Sequence, residues 1–332
     1  MKRVTIKDIA QKTNFSKSTV SRVLMNDPNV KPDTRERILE ALRESNYRAN
    51  ELARGMVSGN LPVVMIIAGD ITSYFYGAAV KEIERMLYKE GFLVMVCNSE
   101  YDSERELNYL SMAEQFRVSG VILMTAIESE RLNHLIRSMN CAVVSMNRYL
   151  REIEIDAIVQ DNYTLAYNGT KKLIERGHRK IVHISSQHMA NTTMDRRQGY
   201  LDAMRDGGLG NAEPMVRYGD HTWQSGYEIA MEFDREGIDY SAVFLLNDMM
   251  TMGFVKALEE QGKQARDYSF LCFDFSPAIE SLPVSVETIG ATAAMMGQEA
   301  GQRMLQRLRG DETPPHRIVM PEFYRWQDNN EE

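Results

Sequence analysis

Lys17, Ser18 and Arg22 fall on one side of the run Lys17-Ser18-Thr19-Val20-Ser21-Arg22-Val23-Leu24, and their chemistry suits the reading of nucleic-acid bases. Arg and Lys donate to N7 and O6 of guanine, and a serine hydroxyl donates or accepts at several bases. At helical spacing Val20, Val23 and Leu24 face a core, which leaves Lys17, Ser18, Thr19 and Arg22 on the outer side. The hydroxyls of Ser16, Ser21 and Thr34 suit phosphate contacts, which set register without reading sequence. Charge agrees with this placement. Residues 1–60 hold twelve Lys and Arg against seven Asp and Glu, net +5, while the 332-residue chain is −8, leaving −13 on residues 61–332. Basic residues concentrated on one small domain of an acidic chain are an electrostatic footprint for phosphate, and they exclude the bulk of the chain as the nucleic-acid surface.

The elements that position these side chains are short helices. Thr5 is placed as an N-cap with Asp8 three residues on, as in a capping box, and a helix runs from about Thr5 to Thr13 with Ile6, Ile9 and Ala10 buried. Asn14 sits where the turn needs a left-handed backbone. Ser16 caps the second helix, and a third follows Pro32-Asp33 with Ile38, Leu39 and Leu42 as its buried face. Two short helices joined this tightly form a helix-turn-helix, whose second helix fits the DNA major groove.

From Leu61 onward, apolar strand-like runs alternate with amphipathic helical ones. Strands are predicted at 63–67, 93–97, 121–124, 142–146, 157–159, 181–184, 215–218, 243–246 and 270–273. Helices are predicted between them, at 76–89, 103–115, 130–138 and 162–175 among others. Continuous apolar strands separated by helices indicate parallel sheets covered on both faces, and two such series indicate two doubly wound subdomains. Ligands of open α/β sheets bind outside the carboxyl ends of the strands. No GxGxxG follows a strand, and neither a P-loop nor a Gly-x-Ser-x-Gly elbow occurs, so no enzyme is expected. Cys97, Cys141 and Cys272 form no CxxC pair and the six histidines show no ligand spacing, so neither a metal nor a cofactor is expected. The start lacks a signal-sequence pattern and no apolar run spans a bilayer, which points to a cytoplasmic protein.

The stretches Val4-Thr5-Ile6-Lys7-Asp8-Ile9-Ala10, Ser16, Thr19 to Leu24, Thr34 to Ile38 and Asn46-Tyr47 resemble the headpiece of the LacI/GalR family of transcription regulators. The resemblance implies a helix-turn-helix headpiece at 1–47, a hinge helix and linker at 48–60, and a periplasmic-binding-protein-like core at 61–332. Within that core, 61–160 with 289–320 and 161–288 with 321–332 would be the two subdomains. It further implies a homodimer on a palindromic operator, with Lys17, Ser18 and Arg22 at base edges and Thr5 and Thr19 also at the DNA. In the hinge, Arg48 to Met56 is too short to be helical alone, because nucleation is costly. It would fold when paired on DNA, with Asn50, Ala53 and Met56 in contact and Met56 wedged between base pairs.

The same resemblance assigns effector contacts to Phe75, Tyr76, Asn147, Arg148, Asn191, Thr192, Arg196, His221, Trp223, Asn247 and Asp274. A sugar needs planar groups for its apolar face and carboxylates, amides or guanidinium forks for its hydroxyls, and this set supplies both. For Asp274, Asn247 and Asp248 the competing role is helix capping. Many sugar-responsive relatives carry Arg where this chain has Met194 and Asp where it has Asn147, so residue matching does not name the ligand. The implied function is a repressor of a carbohydrate-use operon. A nucleobase effector, a phosphorylated sugar or a protein co-regulator are the alternatives, and a sugar-binding protein without regulatory role is a remote one. The C-terminus lacks a leucine heptad, which predicts a dimer, not a tetramer.

Overall fold

The computed structural model describes residues 4–24, 27–45, 61–188, 190–210 and 215–325. The hinge residues Asn50, Ala53 and Met56 lie outside them. The chain divides into a small helical unit and, from Pro62, a larger α/β unit.

The small unit holds α1 (Ile6–Thr13), α2 (Lys17–Leu24) and α3 (Pro32–Glu44). The Thr5–Asp8 capping box forms: Thr5 N donates to Asp8 Oδ2 at 2.8 Å, and Asp8 N donates back to the Thr5 hydroxyl. Asn14 takes φ 59°, and the Ser16 hydroxyl accepts from Thr19 N at 3.1 Å, so the turn and the second cap follow local chemistry. Ile9, Ala10, Val20, Val23, Ile38 and Leu42 form the core of the unit. Leu39 is not among them: it is 37 % exposed, and Ala41 is buried instead. The reason is phase, since α3 meets α1 and α2 along an Ile38–Ala41–Leu42 stripe and position 39 turns away.

The larger unit carries two six-stranded sheets. The first contains β1 (Leu61–Ala68), β2 (Leu93–Asn98), β3 (Val118–Leu123), β4 (Ala142–Met146) and β5 (Asp156–Val159). Between these strands run α4 (Tyr74–Lys89), α5 (Ser103–Phe116) and α6 (Glu130–Ser138). The second sheet and its helices follow: α7 (Asn162–Glu175), β6 (Ile181–Ser186), α8 (Asn191–Asp206), β7 (Val216–Gly219), α9 (Trp223–Glu236), β8 (Ala242–Leu245), α10 (Asp248–Glu260), β9 (Ser269–Phe273) and β10 (Val286–Ile289). The chain then returns to the first subdomain for α11 (Ala293–Leu308) and β11 (Arg317–Val319), and ends in the second with β12 (Tyr324–Arg325). Strand orders are β11-β5-β4-β3-β1-β2 and β12-β10-β9-β8-β6-β7, with β12 antiparallel to β10. These are the two doubly wound subdomains expected from the alternating pattern; β6 and β8 are buried throughout and β1 over most of its length, while the edge strands β2 and β11 are largely exposed.

Three crossings join the subdomains, and they are bonded to one another. The buried Gln160 side chain accepts from Ala291 N at 2.5 Å, Met320 N donates to Val159 O at 2.8 Å, and Gly290 N donates to Phe323 O at 2.8 Å. Gly290 has φ 102°, and a Cβ there would lie 2.5 Å from Gln160 Oε1, so this crossing needs glycine.

A buried ion cluster anchors the returning segment. Asp156 on β5 is paired with Arg303 at 2.9 Å and Arg307 at 2.6 Å, both on α11, and accepts from His316 N at 3.1 Å. Burial by itself raises the Asp156 pKa, but these bonds outweigh it and hold the carboxyl below its ordinary value. Removing one member of such a cluster leaves buried charge uncompensated, so Asp156→Ala should cost about 3–5 kcal/mol in denaturant unfolding. A loss below about 1 kcal/mol would deny the cluster that role. Because the folded pKa is depressed, the contribution of Asp156 is complete above the ordinary value near 3.8 and is lost as pH falls below it.

Candidate functional site

The carboxyl ends of both sheets open onto a cavity lined by Ser73, Phe75, Tyr76, Tyr101, Asn147, Arg148, Thr192, Thr193, Arg196, His221, Leu246, Asn247 and Asp274. Its volume is about 40 Å³. That is space for one or a few waters, roughly an order of magnitude below ordinary small-molecule sites.

Each lining residue sits where a parallel strand ends and its helix begins. Phe75 and Tyr76 open α4, are nearly buried, and meet edge-to-face with ring centroids 5.4 Å apart. Asn147 and Arg148 follow β4, Thr192 and Thr193 open α8, and His221 stands between β7 and α9. Asp274 follows β9 directly. Asn247 caps α10 through its side chain, which accepts from Met250 N at 3.0 Å, and its amide donates to His221 O at 3.0 Å. It therefore lines the cavity and caps a helix at once. Asp274 caps nothing, since Ser276 holds the cap position of the following turn.

Two guanidinium groups are buried here, Arg148 at 4 % and Arg196 at 7 % exposure. Arg196 Nε donates to Asn162 Oδ1 at 2.8 Å, and its plane lies 3.5 Å from the centre of the Phe273 ring. Burial lowers its pKa to about 10, against the pull of Asp274. Arg148 donates to Thr125 O through Nη1, and its Nε has no hydrogen-bond partner. Burial raises Asp274 to about 6, although Arg196 works in the opposite direction. No hydrogen bond reaches the Asp274 carboxylate from any described residue.

Tyr101 fills the cavity from the first subdomain. Its ring stacks on His221 and His188 of the second, with centroid separations of 4.9 and 5.2 Å. Gly69 makes this placement feasible, because a Cβ there would stand 2.4 Å from the Tyr101 ring. His221 Nε2 lies 2.9 Å from the Ser186 hydroxyl, and burial first, then His188 and Arg148, push its pKa down to about 3. The stack is therefore uncharged at neutral pH on the His221 side. Tyr101, Asn147, His221 and Asp274 all have positive φ, between 59° and 76°. Backbone held in this region by surrounding structure clusters at ligand clamps and switches.

Two residues assigned from sequence do not reach the cavity lining. Asn191 donates to Tyr149 O at 2.7 Å, tying α8 to the loop after β4. Trp223 turns away and stacks on Tyr227 at 5.3 Å. Ser73, Tyr101, Thr193 and Leu246 line it without having been singled out. Tyr101 had a signal: it follows the β2 strand end, the position that drew attention to the other linings.

On the helical unit, Lys17, Ser18 and Arg22 are exposed along one side of α2, with Thr19 and Ser21 half-buried beside them. Arg22 approaches Asp27 only at 3.9 Å, at the edge of ion-pair range. Ser16, Ser18 and Thr19 share hydroxyl bonds of 2.7 and 2.8 Å. Thr5 is exposed and Thr34 half-buried. Among the described residues no His, Cys, Asp and Glu group could hold a metal ion, and no helix is long and apolar enough to cross a membrane.

Comparison with known proteins gives two adjoining family matches. The model for bacterial regulatory proteins of the lacI family covers residues 5–50, and that for periplasmic binding proteins and the sugar binding domain of the LacI family covers 60–327. The chain is 27 % identical to the HTH-type transcriptional regulator DegA of Bacillus subtilis, across 96 % of each chain. It is 28 % identical to catabolite control protein A of Priestia megaterium (95 % of this chain, 96 % of that one) and 29 % identical to the transcriptional repressor PurR of Yersinia enterocolitica (88 % and 89 %). Among solved structures, a transcriptional regulator CelR–cellobiose complex aligns with TM-score 0.71 at 25 % identity over 97 % of this chain and 98 % of that one. A lac repressor dimer bound to operator and the anti-inducer ONPF aligns with TM-score 0.84 at 22 % identity over 98 % of each, a likeness of fold.

The raised Asp274 pKa has a thermodynamic consequence. A carboxyl whose folded pKa exceeds its unfolded one destabilises the fold increasingly as pH rises from about 3.8 through about 6. Asp274→Asn should therefore melt higher than the parent at pH 7.5, by up to about 3 kcal/mol in stability, with the gap closing towards pH 4. An equal difference at both pH values would contradict the buried-carboxylate account.

Proposed function

This chain belongs to the LacI family of bacterial regulatory proteins, DNA-binding transcriptional regulators with an effector-binding domain, and from that premise we propose that it is a repressor of a carbohydrate-use operon. In this reading it is a cytoplasmic homodimer that binds a palindromic operator. The observation that carries the effector half is the convergence of Arg196, Asp274, Asn147 and Asn247 with the aromatic faces of Tyr76 and Tyr101 in one interdomain cavity. Guanidinium, carboxylate and amide groups beside planar rings match the mixed faces of a sugar. The cavity also spans the two subdomains, so a ligand admitted there shifts their relative setting. A shift of that kind couples ligand to DNA, typically by about 1–3 kcal/mol.

The DNA half rests on the exposed Lys17, Ser18 and Arg22 side of α2. Dimerisation is supported by β2, an edge strand whose Leu93, Met95 and Val96 are 58, 39 and 42 % exposed, with Met112 and Phe116 also exposed on the neighbouring α5. An apolar, unpaired edge of this kind needs a cover, and a second copy supplies one.

Operator selection from random duplexes, followed by binding with and without a sugar panel, tests the whole reading. One palindrome should emerge, with affinity falling steeply in salt and changed by a ligand. Binding to all duplexes alike would defeat it. Arg22→Ala should lose about 1–3 kcal/mol on the selected operator and relax preference at one base pair per half-site. A uniform loss on every sequence would make Arg22 a phosphate contact. Leu93→Glu with Met95→Glu should turn a sedimenting dimer into a folded monomer; persistence of the dimer would place the interface elsewhere.

A further inference from the structure

Two buried guanidinium groups, those of Arg148 and Arg196, line the cavity. Neither Arg148 nor Arg196 has a carboxylate within 4.0 Å among the described residues. Each is held by neutral groups, Arg148 by the Thr125 carbonyl and Arg196 by the Asn162 amide oxygen and the Leu246 carbonyl at 3.5 Å. Arg148 retains a buried Nε with no acceptor. Burying a charge without a directly bonded counter-charge is costly unless a partner arrives.

Three helix N-termini add to the same field. Ser73 at the start of α4, Thr192 and Thr193 at the start of α8, and Asn247 at the start of α10 all line the cavity. These helices run 16, 16 and 13 residues; α4 has no side-chain cap, Asn191 Oδ1 takes the Thr192 N–H of α8 at 2.8 Å, and Asn247 and Asp248 cap α10. Helix N-termini present unpaired donors and partial positive charge, which favour anions. Three carboxyl groups oppose this field, Glu106, Asp274 and Asp248, the last being the buried first residue of α10. Glu106 stands behind Thr125, whose hydroxyl donates to it at 3.0 Å, and burial raises its pKa, with Thr125 and Arg148 opposing. Asp274 is raised to about 6.

We infer that the effector of this cavity is an acid: a small polyol bearing one carboxylate or phosphoryl group, seated on the Arg148 and Arg196 guanidinium groups at the meeting of the three helix N-termini. A carboxylate or phosphoryl group offers the two or more acceptor oxygens that a guanidinium fork binds best. Asp274 and Asn147 then take the hydroxyls. Tyr101 must leave its stack to admit such a ligand, since the present space is only about 40 Å³. The inference rests on the effector reading above and narrows it.

Thermal shift and calorimetry on the full chain test it with matched sets: glucose, glucuronate and glucose 6-phosphate; galactose and galacturonate; ribose and ribose 5-phosphate; and inorganic phosphate alone. An acidic or phosphorylated member should raise the melting midpoint where its neutral parent does not, and whether the carboxylates or the phosphates respond identifies the group. Arg148→Gln should weaken that ligand by about tenfold or more. If Arg148→Gln fails to fold, Arg148→Lys serves: it retains charge without the fork and should bind the acid more weakly than the parent. A neutral sugar that binds as well as its acid, with Asp274→Asn abolishing both, would overturn the acid inference while leaving the cleft reading intact. A shift unaltered by Arg148, Arg196 and Asp274 substitutions would overturn both. Silence across every acid and inorganic phosphate would also overturn the inference.

Discussion

The larger unit depends on one constraint: its chain passes between two sheets three times, and the three passages bond to each other. Gln160, Gly290, Ala291, Met320 and Phe323 form this junction, with a buried amide side chain as its central acceptor. A single connection would let the subdomains separate freely; three bonded passages limit their motion to bending and twisting about one place. The same topology directs the carboxyl ends of both sheets at one another, so every strand-end loop contributes to a shared cavity. The Asp156 cluster serves this arrangement from below, because it holds α11 against the sheet that α11 rejoins after its excursion.

What the constraint produces at the cavity is conformational tension of a defined kind. It is seen at Tyr101, which holds a left-handed backbone that bulky side chains rarely take, whereas Asn147, His221 and Asp274 are of types that adopt it more readily. Tyr101 bridges the subdomains through aromatic stacking with His188 and His221, interactions worth about 0.5–1.5 kcal/mol each beyond burial. Across the cavity the subdomains are held by this stack and by the Asn191 hydrogen bond to the Tyr149 carbonyl, while three bonded passages hold the hinge. That contrast suits a device in which a modest ligand free energy changes the angle between subdomains without disturbing either fold. It also explains why Asn191, bonded to the Tyr149 carbonyl, belongs to the same closure although it does not line the cavity.

Much of this was legible from residue order, and the failures have physical causes. The Thr5–Asp8 box, the Asn14 turn and the Ser16 cap are local hydrogen-bonding events completed within four residues, so side-chain type predicts them. The strand series from Leu61 was readable because parallel strands buried on both faces are continuously apolar. β10, β11 and β12 were not, since they are two to four residues long and are strands only because distant partners complete them. Leu39 was misplaced because periodicity gives a stripe without its phase, and Ala41 is too small to announce itself.

The sequence by itself determined the helix-turn-helix, the exposed Lys17, Ser18 and Arg22 row, the two-subdomain α/β class and the strand ends where a ligand site had to lie. All of these follow from spacing along the chain. Only the tertiary structure decided which strand-end residues meet. It placed Tyr101 against His188 and His221, turned Trp223 onto Tyr227, and left Arg148 and Arg196 buried together without a bonded carboxylate among the described residues. Those outcomes depend on the angle at which two separately folded sheets face each other, and that angle is set by contacts between residues more than a hundred positions apart, such as Gln160 with Ala291.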